Sequence, residues 1–357
     1  GVPPNPGAWL TTTANRKAID RIRREHTRDD KHREALMLVD DSPPEPLGVV
    51  DDDRLRLIFT CCHPALAMEA RLALTLRMIG GLTVPEIARA FLVQESTMGQ
   101  RITRAKAKIA AARIPYRVPS ASDLPARTSG VLAVLFLVFN EGYLATGSDT
   151  DPVRAELTAE AIRLTRLIRG LLPDDGEVAG LLALMLLTEA RRPARISAEG
   201  ELVPLSEQDR GAWDRALIHE GHQLVRERLD AGAAPGRYQL LAAINAAHTD
   251  ARDARDTDWS QVVALYDQLV RLDPSPIVAL NRAIAVAELE GPDAAVPIID
   301  RLTDALDGYH PFHATRAELL RRQGRNAEAR TAYDRAIALA GNTAETAYLS
   351  RRRAELG

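Results

Sequence analysis

Thr83-Val84-Pro85-Glu86-Ile87-Ala88-Arg89-Ala90-Phe91, followed after a break around Leu92 to Glu95 by Ser96-Thr97-Met98-Gly99-Gln100-Arg101-Ile102-Thr103-Arg104-Ala105-Lys106-Ala107-Lys108-Ile109, is the stretch that decides the fold. Thr83 and Glu86 stand three residues apart in a capping-box pattern, and Pro85 lies in the first turn, where its missing N–H costs nothing. The helix so opened carries Val84, Ile87, Ala88 and Phe91 on one face. Beyond the break the apolar period restarts, with Met98, Ile102, Ala105 and Ile109 at i, i+4, i+7 and i+11. Two helices joined by a tight turn are predicted. At about 100° per residue, the side opposite the second stripe holds Ser96, Thr97, Gln100, Thr103, Arg104 and Ala107. Short hydroxyls and an amide can reach base edges while Arg101, Lys106 and Lys108 flank them toward phosphates, the division of contacts a helix-turn-helix makes in a DNA groove. Gly99, inside the second helix, costs about 1 kcal/mol relative to Ala. Close backbone approach and a tolerated weak spot account for it equally well. The plainer alternative for the whole stretch is a three-helix packing unit with a solvated basic face.

The charge balance agrees with a phosphate-bearing partner. Net charge is −3 over 357 residues, but residues 1–113 carry 18 Lys/Arg against 14 Asp/Glu, and the remainder carries 28 against 35. Within the front part, Arg71 to Arg113 holds eight basic and two acidic residues, whereas Ala35 to Ala70 holds two and seven. Basic charge confined to two helical stretches, with an acidic one between them, fits nucleic acid. Hydrophobic residues at 46% and charged residues at 27% exclude a disordered chain, and aromatics at 4% suit aliphatic helices better than an aromatic-rich sandwich. The longest apolar runs, Val131 to Phe139 and Leu181 to Leu187, are far shorter than the roughly 20 residues a spanning helix needs, so no membrane partner is expected. The cysteines, Cys61 and Cys62, are adjacent, which leaves no ordinary loop-closing disulfide and points to the cytoplasm. Because the chain starts at Gly1 and runs almost at once into helical sequence, an N-terminal portion is expected to precede it.

Outward from the central stretch, an all-α organisation is predicted. Residues 1–28 form a basic amphipathic helix, with Leu10, Ala14, Ala18 and Ile22 on one face and Arg16, Lys17, Arg21, Arg24 and Arg28 mostly elsewhere. Residues 29–53, with Ser42-Pro43-Pro44-Glu45-Pro46 and Asp51-Asp52-Asp53, have the composition of a flexible linker. Residues 54–114 form the compact helical unit, closed by Pro115 and Pro119, and residues 129–237 are helical without a clean repeat. Residues 238–357 repeat. Gly324, Ala329, Tyr333, Ala336 and Gly341 match a tetratricopeptide repeat's turn, small, aromatic and breaker positions; Gly291 lies 33 residues earlier, and Thr257 lies 34 before that. The match weakens in the middle repeat, where Val296 and Asp300 take the small and aromatic positions. Helix pairs near 238–274, 276–308 and 311–342 would build a solenoid, with Ala283, Ala287, Ala329 and Ala336 allowing close approach.

Leu82-Thr83-Val84-Pro85-Glu86-Ile87-Ala88 with Glu95-Ser96-Thr97-Met98-Gly99-Gln100-Arg101-Ile102-Thr103-Arg104-Ala105-Lys106 resembles the C-terminal DNA-binding domain of bacterial extracytoplasmic-function sigma factors. Asn5-Pro6-Gly7-Ala8-Trp9-Leu10 with Asn15-Arg16-Lys17-Ala18-Ile19-Asp20-Arg21-Ile22-Arg23-Arg24 resembles the last helix of that family's N-terminal promoter-melting domain. Arg54 to Leu66 and the tetratricopeptide-like tail resemble a subgroup with an extra C-terminal domain. The resemblance implies that the second helix reads the minus-thirty-five element through Gly99, Gln100, Thr103 and Arg104, three of which the helical wheel selects independently. It further implies promoter contacts at Asn15, Arg16, Lys17 and Arg21, and binding to RNA polymerase core by the full-length protein. Two positions depart from the family pattern: Leu92, where many members turn through Gly, and Gln94, where Ser commonly caps the second helix.

Outside this stretch the chemistry is sparse. Cys61-Cys62-His63 supplies at most three ligands at the wrong spacing for a closed zinc site and is read as packing at a helix start before Pro64. Glu141, in Phe139-Asn140-Glu141-Gly142-Tyr143, is a lone carboxylate at a helix end. Arg191, Arg192 and Arg195, followed by Glu199, Glu201 and Asp209, either hold an anion or pair with one another, with a structural ion network the default. No catalytic group, metal or cofactor is expected, because no nucleophile triad, phosphate loop or dinucleotide fingerprint occurs. The expected role is a sigma factor without catalysis of its own, with a C-terminal domain for regulation or a protein partner. Its rivals are a tetratricopeptide interaction scaffold and a small-molecule-binding or hydrolytic function in 129–237.

Overall fold

The computed structural model describes residues 53–90, 93–120, 122–144, 153–198 and 200–356, and the described chain is all-α, in two compact units divided after Val138. The helix read in 1–28 and nearly all of the linker read in 29–53 lie outside the described residues. Among the described residues no strand forms, and one antiparallel bridge pairs Ile196 with Leu202.

In the first unit, α1 (Asp53–Cys61), α2 (Met68–Met78), α3 (Val84–Ala90) and α4 (Glu95–Ala111) pack as a small bundle. Its core takes Leu55, Ile58 and Phe59 from α1, Ala73 and Leu74 from α2, Ile87 and Ala88 from α3, and Met98 from α4, all at 1% exposure or less. Polar ties hold the margins. Tyr116 Oη donates to the Asp53 carbonyl at 2.8 Å, and Thr60 Oγ1 donates to the Pro115 carbonyl at 3.2 Å, so the segment after α4 returns to α1. Cys61 ends α1 rather than starting a helix, a correction to the sequence reading, because the apolar face that begins at Leu55 continues through Cys61 and the turn into Pro64 comes only after it. Helix α5 (Leu124–Tyr143) begins five residues before the expected start, and its Arg127 donates to the Phe59 carbonyl at 2.7 Å.

In the second unit, α7 (Gly176–Glu189) is buried along almost its whole length, and the neighbouring helices α6 (Ala155–Leu171), α8 (Arg215–Asp230) and α9 (Arg237–Asp250) cover it. A helix apolar all round must be central. Gly180 makes a close backbone approach possible: a Cβ there would lie 2.5 Å from the backbone nitrogen of Gln239. Glu177 locks the same joint by accepting the backbone N–H groups of Tyr238 at 3.0 Å and Gln239 at 3.3 Å, orphan donors at the start of α9.

Beyond α9 follow α10 (Trp259–Leu272), α11 (Pro276–Glu290), α12 (Pro292–Asp300), α13 (Thr303–Leu306), α14 (His310–Arg322), α15 (Asn326–Leu339) and α16 (Thr343–Ala354), each long helix packed against its neighbours in sequence in a solenoid-like stack. Gly291 (φ 95°) and Gly324 (φ 74°) turn the chain between helices in the left-handed region that a side chain resists. Ala283, Ala287, Ala329 and Ala336 are buried at the interfaces. The helix carrying Val296 and Asp300 is short, with Pro297 inside it.

Candidate nucleic-acid interface

Helices α3 and α4 pack together after a turn at Val93-Gln94. The α3 start forms the expected reciprocal cap: the Thr83 N–H donates to Glu86 Oε2 at 2.7 Å, and the Glu86 N–H donates to Thr83 Oγ1 at 3.4 Å. Met98, Ile102, Ala105 and Ile109 are the buried residues of α4. Opposite them Ser96, Thr97, Gln100, Thr103, Arg104 and Ala107 are all exposed. The 3.6-residue period thus separates a dry stripe from a wet one on a single helix.

The wet stripe is chemically differentiated. Gln100 and Arg104, one turn apart, reach toward each other, with Arg104 Nη2 and Gln100 Oε1 3.5 Å apart. Thr103 Oγ1 donates to the Gly99 carbonyl at 2.9 Å, so its hydroxyl hydrogen is used inside the helix and its methyl group and lone pairs face out. Lys108 is exposed, whereas Arg101 and Lys106 are half-buried flanks. A shallow depression of about 300 Å³ runs between Thr97, Gln100, Arg104 and Lys108 on one side and Leu66, Ala67 and Ala70 on the other. Sequence reasoning missed the second wall, because apolar residues before and within α2 carry no binding signal of their own.

Gly99 does not force the helices together: a Cβ there meets only Val84 Cγ1, at 4.0 Å. Helix α4 starts at Gln94 in extended geometry (φ −64°, ψ 143°) with no side-chain cap. The basic residues of the stretch divide into two groups. Arg71 donates to the Leu66 and Pro64 carbonyls at 2.8 and 3.0 Å and Arg77 to the Leu82 carbonyl at 3.1 Å, so these two tie loops. Arg104 and Lys108 stand on the open face. Asn15, Arg16, Lys17 and Arg21 lie outside the described residues.

The remaining candidates resolve as packing or change meaning. Cys61 and Cys62 are buried free thiols, and burial pushes the Cys62 thiol up to about 12, a protonated group unsuited to metal binding. His63 Nδ1 accepts the Ala65 N–H at 3.1 Å and closes a turn. Tyr143 ends α5, as read. Among the described residues, the ion network expected around Arg191, Arg192 and Arg195 does not form. Arg192 pairs with Glu189 at 2.6 Å, Glu201 with Arg351 at 3.0 Å, and Asp209 accepts the Gly211 N–H at 2.8 Å; Glu199 lies outside the described residues.

Comparison with known proteins agrees with the α3–α4 geometry. Residues 56–109 match the sigma-70, region 4 family, and residues 127–229 match a family of unknown function, DUF6596. The chain is 45% identical over 355 residues to the uncharacterized protein R00370 of Rhizobium meliloti, covering 98% of this chain and 84% of that protein. It is 34% identical over 98 residues to the ECF RNA polymerase sigma factor SigK of Mycobacterium tuberculosis and of Mycobacterium bovis, a match spanning 27% of this chain and 51% of each relative. Among the described residues no helix is long and apolar enough to cross a membrane.

Proposed function

The chain belongs to the family of Rhizobium meliloti R00370, and we propose that it acts as an extracytoplasmic-function sigma factor in the cytoplasm, without catalysis of its own. Its region 4 domain carries the recognition step. Helix α4 enters the major groove of the promoter's minus-thirty-five element with Ser96, Thr97, Gln100, Thr103 and Arg104 toward base edges and Gly99 at the same surface. Arg101, Lys106 and Lys108 lie toward phosphates. Asn15, Arg16, Lys17 and Arg21 contribute further promoter contacts, RNA polymerase core is the protein partner in transcription initiation, and the C-terminal helical unit serves regulation or partner binding. The observation that carries this is the clean division of α4 into a buried apolar stripe and an exposed polar and cationic one.

The test is a salt titration of the full chain against a duplex enriched from a randomised pool. Each phosphate contact contributes about 0.9 to the slope of log affinity against log salt, so Lys108→Ala should flatten the slope by about that amount for every sequence. Arg104→Ala should cost about 1–3 kcal/mol on the enriched duplex and far less on a scrambled one. A flat salt titration with both variants indistinguishable from wild type would return the chain to the interaction-scaffold reading.

A further inference from the structure

The connector between α7 and α8 holds a cation that the fold leaves unanswered. Arg195 is 1% exposed, and Nε, Nη1 and Nη2 of its guanidinium are all buried without a hydrogen-bond partner among the described residues. One face of the group lies on the Tyr143 ring, 3.4 Å from its centroid, which leaves the donor edges for an in-plane acceptor. The backbone around it is fixed: the Val203 N–H donates to the Arg195 carbonyl at 2.8 Å, beside the Ile196–Leu202 bridge. Four residues earlier, Arg191 donates to Asn245 Oδ1 at 3.2 Å, and its Nε is buried and unpartnered. Glu189, the carboxylate within electrostatic reach of Arg195, gives one oxygen to Arg192 and leaves Oε2 free. Rotation of Glu189 answers one arginine and still leaves the other, since among the described residues Arg191, Arg192 and Arg195 share this one carboxylate. A buried charge without a partner is strongly unfavourable, and folds retain one where something else supplies the counter-charge.

We propose that Arg195 and Arg191 bind a small oxyanion, a phosphate or a carboxylate, which makes this part of the second unit a ligand site independent of DNA recognition. Guanidinium forks recognise both groups edge-on through paired N–H donors. The near-complete burial of Arg195 restricts the ligand to a compact group.

The test uses the full chain at constant ionic strength. Unfolding is followed by tryptophan fluorescence, because Trp213 and Trp259 both lie in the second unit. Inorganic phosphate, acetate and chloride are titrated in parallel. Phosphate or acetate should raise the midpoint by roughly 5 °C or more at saturation relative to chloride, and whichever does so identifies the oxyanion class. Arg195→Met should abolish the response, and Arg191→Gln, which keeps the Arg195 stack intact, should weaken apparent affinity at least tenfold. The double variant Arg104→Ala/Lys108→Ala should keep the full response, separating this site from the α4 surface. No stabilisation beyond chloride, or an undiminished response in both connector variants, would overturn the proposal and leave the DNA reading untouched.

Discussion

Acidification should weaken the second unit through His248, and the size of the effect follows from its surroundings. Burial first, then the positive charges of Arg191 and Arg210, push its imidazole from 6.5 down to about 4. Its Nδ1 is buried without a partner among the described residues, and its ring meets Trp259 edge-on at 5.3 Å. A base whose folded pKa is depressed binds a proton more readily in the unfolded chain. Its neutral form therefore supports the fold above pH 6.5, and that support is lost as pH falls from 6.5 toward 4. At pH 5 the loss amounts to about 2 kcal/mol, reaching about 3 kcal/mol near pH 4. His248→Phe keeps an aromatic ring beside Trp259 and removes the titration. Urea unfolding followed by tryptophan fluorescence at pH 7.5 and 5.0 should show wild type losing about 2 kcal/mol more than the variant over this interval. His222 and His310, also lowered chiefly by burial, act in both proteins and cancel in the comparison. Equal losses in the two proteins would mean that His248 is open to water and that the Arg191–Arg210 environment is not the one described.

Three further outcomes are expected. Gln94→Ser supplies the hydroxyl that the extended N-cap of α4 lacks and should stabilise the first unit by about 1 kcal/mol, read as a shift in chemical midpoint. Gly99→Ala has room at 4.0 Å from Val84 and should add about 0.5–1 kcal/mol by the same measurement; if the backbone at Gly99 approaches DNA, this stabilised variant will nonetheless bind duplex more weakly, and unchanged binding rules that approach out. Native protein at pH 8 should show no thiol reactive toward an aromatic disulfide, with two titrating after denaturation, because burial holds both Cys61 and Cys62 protonated.

The helix-turn-helix was legible because each of its determinants is local. Capping by Thr83 and Glu86 is decided within four residues, and the Met98–Ile109 stripe within four turns, so periodicity alone placed the buried face and therefore the exposed one. The solenoid-like stack was legible for a related reason, since each helix meets the next in sequence and glycines at Gly291 and Gly324 mark the turns. What failed concerned side chains answered from far away. Arg71 and Arg77 look like the other cations of their stretch until loop carbonyls come within reach, and the opposite wall of the α4 depression is made of residues with no chemistry of their own.

The connector reverses that logic: the sequence leaves two readings of its arginines, an anion site or mutual pairing, and only the contacts separate them. In sequence, Arg191, Arg192 and Arg195 precede Glu199, Glu201 and Asp209, and proximity along the chain suggests mutual neutralisation. In space the acids are drawn elsewhere. Glu201 is held by Arg351, 150 residues away, and Asp209 serves its own turn. The bridge between Ile196 and Leu202 sets the backbone on which Arg195 stacks over Tyr143, from a helix that ended some fifty residues earlier. Charge neutrality of a segment is a property of its composition, but ion pairing is a property of its contacts, and only the second decides whether a guanidinium is left waiting for an acceptor. Filling the site would also dilute the positive field that depresses His248, because Arg191 contributes to that field. The oxyanion that stabilises the wild type should therefore shrink its excess acid sensitivity over His248→Phe; an unaltered difference in saturating anion would place the bound ligand away from Arg191.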